Sequence, residues 1–154
     1  MKARKKSLII VAVSGGFDPI HAGHVRLFEE AKKLGDKLVV VLNNDNWLKK
    51  KKGYVFMPQR ERKEVIEALR VVDKVVLTSH RPNPKDMGVA KELRKLRPNI
   101  FANGGDRPSQ SLPKPEKTVC KAIGCKMVYS IGRGGKVQSS SWLLNAFLDN
   151  SKNS

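Results

Sequence analysis

The chain has 154 residues, and its 31 Lys and Arg against 14 Asp and Glu give a formal net charge of +17. That length suits a single domain, residues 1–154, with a core large enough to fold unaided, and no apolar run approaches the ~20 residues of a membrane-spanning helix. The 2 cysteines, Cys120 and Cys125, are too few for a disulfide framework or a zinc cage and suit a reducing compartment.

In chain order, residues 1–6 form a basic tail resembling the start of a secretion signal. The apolar stretch behind it, residues 8–13, is short and runs straight into a glycine-rich turn. Cleavage there would destroy that turn, so a cytoplasmic location is expected. Residues 8–13 read as a buried strand, and Val25, Phe28, Ala31 and Leu34 stand at helical spacing in a helix opening at His24. A second strand is expected over 37–42, a lysine-rich loop over 43–54, and a helix over 60–70 with Pro58 at its entrance. A third strand over 74–77 precedes a helix marked by Val89, Leu93 and Leu96 that stops before Pro98. A fourth strand over 99–102, a helix over 118–123, a fifth strand over 126–129, a closing helix over 141–148 and a frayed tail over 150–154 complete the reading. Strands of continuous apolar character alternating with helices predict an α/β, Rossmann-like open parallel sheet of about five strands with helices on both faces.

The run from Gly15 to His24 holds two of the 3 histidines, three residues apart, between strand and helix. Free backbone N–H groups at a helix start and small Gly15, Gly16 and Gly23 favour a phosphate there. The Gly-Lys-Ser/Thr ending of a Walker A loop is absent. As a metal site, His21 and His24 lack a nearby third ligand. The charge of +17 fits an attraction to nucleotides, nucleic acid or anionic lipid. Scarce aromatics and the lack of a recognition motif weigh against nucleic acid. Every motif follows a strand, and ligands of open α/β sheets bind at the carboxyl ends of strands.

The segment Gly16-Phe17-Asp18-Pro19-Ile20-His21-Ala22-Gly23-His24 resembles the G-x-F-D-x-x-H-x-G-H signature of the cytidylyltransferase-like nucleotidyltransferases. Lys49, Lys51, Lys52, Gly53 and Tyr54 resemble that family's lysine loop, and residues 62–73 its following helix. Gly104-Gly105-Asp106 and Ser139-Ser140-Ser141, with Arg133 before them, resemble two later motifs. The resemblance implies in-line attack of a substrate phosphate on the α-phosphorus of a nucleoside triphosphate carrying Mg²⁺, with pyrophosphate leaving. It also implies that His21 and His24 donate hydrogen bonds to the triphosphate, and that Lys49 or Lys51 meets the α-phosphate or the incoming phosphate.

Asp18 is expected to brace the turn and Phe17 to pack in the core. Arg62 is expected to reach the second substrate's phosphate or stand as a solvated charge. Asp106 approaches Mg²⁺ or ribose, or shapes its turn. Ser139 and Ser140 hold phosphate at a helix start or cap that helix. The favoured reaction moves a nucleotidyl group from CTP to a small phosphorylated polyol or sugar resembling glycerol-3-phosphate. Adenylyl transfer from ATP to a sugar phosphate such as heptose-1-phosphate is the alternative, and a non-catalytic nucleotide- or nucleic-acid-binding module is a third. A homodimer is expected from the resemblance.

Overall fold

A computed structural model describes residues 7–104, 114–131 and 139–152. Five parallel strands form one sheet in the order β3-β2-β1-β4-β5. They are β1 (Ile10–Gly15), β2 (Lys37–Leu42), β3 (Lys74–Leu77), β4 (Ile100–Gly104) and β5 (Lys126–Ile131). The helices are α1 (Ala22–Lys32), α2 (Asp45–Lys52), α3 (Gln59–Glu67), α4 (Ala90–Leu96), α5 (Lys114–Ile123) and α6 (Ser140–Lys152). The expected fold class is what the chain adopts.

Alternation along the strands divides the core into two layers. Val11 and Val13 of β1, with Leu38, Val40 and Leu42 of β2, pack with Phe28 and Ala31 of α1 and Ile66 of α3. On the other face Ala12 and Val41 meet Ala90 and Leu93 of α4 and Val119 and Cys120 of α5. With both faces covered, β1 and β2 need the unbroken apolar runs that they have. Central β1 is flanked by β2 and β4, so strand order reverses between β1 and β4.

Several boundaries depart from the sequence reading, each for a local reason. β1 runs two residues later than the apolar stretch, because Ser14 and Gly15 still pair with Val41 and Leu42. α1 opens at His21, not His24, since His21 is its N-cap. The expected loop after β2 contains α2, which is capped by the Asn44 side chain and closed by Gly53 with φ of 84°. α6 continues to Lys152, through the start of the expected tail. No helix among the described residues is long and apolar enough to cross a membrane.

Candidate active site

Three pieces meet at the carboxyl edge of β1: the turn into α1, the end of α2 with the residues after it, and the start of α6. The turn is held open by packing. Phe17 has φ of 48°, a left-handed conformation rare for a bulky residue. Its ring folds back so that a Cβ on Gly15 would lie 2.8 Å from Phe17 Cζ. A Cβ on Gly16 would lie 2.8 Å from Leu48 Cδ2 and 3.0 Å from Trp47 Cζ3. Both positions are therefore closed to larger residues by the protein itself. Phe17 is in the core as expected, edge-on to Phe28 and to His24.

The two histidines cap α1 reciprocally. His21 Nδ1 accepts from the Gly23 N–H at 3.0 Å, and His24 Nδ1 accepts from the His21 N–H at 3.2 Å. This is a capping box built from imidazoles rather than from Ser and Glu. A ring nitrogen that accepts an amide proton carries none of its own, so the neutral form of each ring bears its proton on Nε2. The rings stack with centroids 3.7 Å apart. Burial, the neighbouring His21 and the charge of Lys52 together push the His24 pKa down to about 3. At neutral pH His24 is thus an uncharged Nε2–H donor.

The structure puts Lys52, rather than Lys49 or Lys51, against this turn. Lys52 Nζ donates to the Asp18 carbonyl at 3.0 Å, and its pKa is lowered, chiefly by burial. Lys49 and Lys51 are exposed on α2. Helical phase explains the choice: Lys52 lies one turn beyond Leu48, the buried residue that seats α2. A reading of 43–54 as a loop has no phase with which to single it out.

Asp18 and Arg62 are both buried and both structural in their bonding. The Asp18 carboxylate accepts from the Phe56 N–H at 2.7 Å and the Met57 N–H at 2.6 Å. It braces as expected, but across to the segment between α2 and α3 rather than within its own turn. Arg62 differs from both of its expected roles, substrate contact and solvated charge. Its guanidinium donates to the carbonyls of Met57, Gly16 and Asn43, and to Asp45 Oδ1 at 2.7 Å. It thereby ties the turn, the end of β2 and α2 into one unit.

Ser139 accepts from the Trp142 N–H at 3.2 Å, a helix-capping bond. Ser140 Oγ donates to the Pro19 carbonyl at 2.8 Å, bringing α6 onto the turn from 121 residues away. Asp106 and Arg133 lie outside the described residues. Asn43, unremarked in the sequence, directly follows β2, and its buried Oδ1 has no hydrogen-bond partner among the described residues. Among the described residues no group of three or more His, Cys, Asp or Glu side chains is arranged to hold a metal ion.

The profile of a family described as cytidylyltransferase-like matches residues 12–129. The chain belongs to that family. An FAD synthase of Ferroglobus placidus is 40% identical over 97 residues, covering 63% of this chain and 59% of that protein. This chain thus spans about three-fifths of that relative's length. The bifunctional protein HldE of Coxiella burnetii is 40% identical over 111 residues, 70% of this chain but 22% of that protein. Among solved structures, a lipopolysaccharide core biosynthesis protein from Thermoplasma volcanium superposes with a TM-score of 0.65 at 29% identity. That match covers 82% of this chain and 98% of the other.

Proposed function

We propose that the chain transfers an adenylyl group from ATP to a phosphorylated acceptor. The observation that carries the reading is the reciprocal capping of His21 and His24, which fixes both ring protons on Nε2 beside the cation of Lys52. An oxygen of the acceptor phosphate attacks the α-phosphorus of ATP, the bond from that phosphorus to the bridging oxygen breaks, and pyrophosphate departs. The attacking group is already an anion, so no general base is required.

The obstacle is charge: two anions must meet, and negative charge gathers on the phosphoryl oxygens. Neutral imidazole donors held by the backbone meet that charge without reorganising. Lys52 offsets the repulsion between the two phosphates. FAD synthesis is adenylyl transfer to flavin mononucleotide, and the likeness to an FAD synthase favours ATP over the CTP expected from the sequence.

The test is pyrophosphate release with Mg²⁺, crossing ATP and CTP against flavin mononucleotide, heptose-1-phosphate and glycerol-3-phosphate. Release should require ATP and one acceptor together, and should fall about 10²–10³-fold in His24→Ala, which removes one transition-state donor. Release with CTP and glycerol-3-phosphate would install the cytidylyl reading instead. ATP binding without turnover on any acceptor would point to a binding module.

A further inference from the structure

Two buried charges hold one short segment whose two aromatic side chains are exposed. Residues 54–57 link α2 to α3, and the Asp18 carboxylate takes both the Phe56 and Met57 N–H groups. From the other side, Arg62 Nε grips the Met57 carbonyl at 2.8 Å. Burying a carboxylate and a guanidinium is costly unless their hydrogen bonds are met, and the main chain of this segment meets part of both sets. What they fix here is the backbone that carries the exposed Phe56 ring, two residues after the exposed Tyr54. Tyr54 is 44% and Phe56 55% exposed, on a chain of charge +17 where apolar surface is otherwise a liability.

The segment's position is also informative. It starts two residues after Lys52, whose amine touches the Asp18 carbonyl. It lies on the β2 side of β1, whereas the reversal of strand order, where a nucleotide is expected, lies between β1 and β4. On that expectation the nucleotide lies on the β4 side of the histidine turn and the two rings on the β2 side, where Lys52 also reaches the turn.

We propose that Tyr54 and Phe56 form the stacking surface for a planar heteroaromatic ring on the acceptor, whose phosphate is held at Lys52. The inference rests on the nucleotidyl-transfer reading and names its acceptor class. Flavin mononucleotide has such a ring, while glycerol and sugar phosphates offer no π-face.

The experiment is a titration of flavin mononucleotide with the intact chain, followed by flavin fluorescence, which stacking on an aromatic ring quenches. Saturable quenching is expected, with the affinity weakened about tenfold in Tyr54→Ala and in Phe56→Ala. Affinity for ATP and the thermal midpoint should not change, since both rings are exposed. Absence of flavin binding, equal binding by the variants, or a loss of ATP affinity in place of flavin affinity would each overturn the proposal. Pyrophosphate release supported only by ringless phosphates would overturn it and leave nucleotidyl transfer standing. Ring-dependent flavin binding with no pyrophosphate from any acceptor would remove the transfer reading and leave the flavin surface.

Discussion

The depressed pKa of His24 makes folding stability depend on pH in a window set by that residue. In the folded chain His24 takes up a proton only near pH 3, against about 6.5 when unfolded. Between these values the unfolded chain binds the extra proton, so acid favours unfolding. The stabilisation is complete above the unfolded pKa and is lost progressively as the pH falls from 6.5 towards 3. At 1.36 kcal/mol per unit, the loss reaches about 2.7 kcal/mol two units below the unfolded pKa. That is a large share of the ~5–15 kcal/mol that holds a typical domain together.

The control is His24→Asn, whose Oδ1 keeps an acceptor for the His21 N–H but cannot titrate. Urea unfolding of both proteins between pH 7.5 and 4.5 should show the parent losing about 1.4 kcal/mol per pH unit relative to the variant below pH 6. Taking the difference cancels the other titrating groups. Parallel stability curves, or an NMR titration of His24 with a midpoint near its ordinary value, would refute the reasoning.

Arg62→Met should cost about 3–5 kcal/mol in urea unfolding, because it strands Asp45 and three carbonyls that the guanidinium satisfies. A cost under ~1 kcal/mol would mean that water replaces it. Gly16→Ala drives a methyl against Leu48, which is fully buried, and should destabilise by about 1–3 kcal/mol while displacing α2 and lowering turnover. Unchanged stability and turnover would show that the Leu48 contact relaxes freely. Ser140→Ala removes the bond to the Pro19 carbonyl and should slow pyrophosphate release with the urea midpoint held. A midpoint that falls in step with the rate would assign Ser140 to the fold instead.

Much of the fold is legible because hydrophobic runs mark strands buried on both faces. β2 and β3 each begin one residue before their apolar runs, on Lys37 and Lys74, and end with them. β1 is displaced because pairing with β2, rather than apolar content, sets its end. α2 was hidden by its composition, since four of its eight residues are consecutive lysines and Leu48 alone is buried. Its signals were the bracketing cap residues, Asn44 in front and Gly53 behind. Missing that helix also hid Lys52, because only helical phase separates it from its three neighbours.

Arg62 shows the opposite failure. Its place on a charged helix suggests solvent, and its burial arises from carbonyls contributed by residues 16, 43 and 57 that only the fold brings together. His21 and His24 were legible as a pair. Their mutual capping was not, because the usual sign of a capping box is Ser or Thr with Glu or Gln.

The last helix has a different relation to the fold from the other five. None of its residues is buried, although Trp142, Phe147 and Leu148 are apolar, and its first turn bonds the histidine turn through Ser140. Undocking that turn would uncover little apolar surface, so its free energy is far smaller than that of global unfolding. Amide hydrogens of α6 should therefore exchange well before those of β1 and β2. Completion of the active site and integrity of the core become separately adjustable quantities. Substitutions along α6 should change the fraction of molecules in which Ser140 meets the histidine turn more than they change the melting temperature.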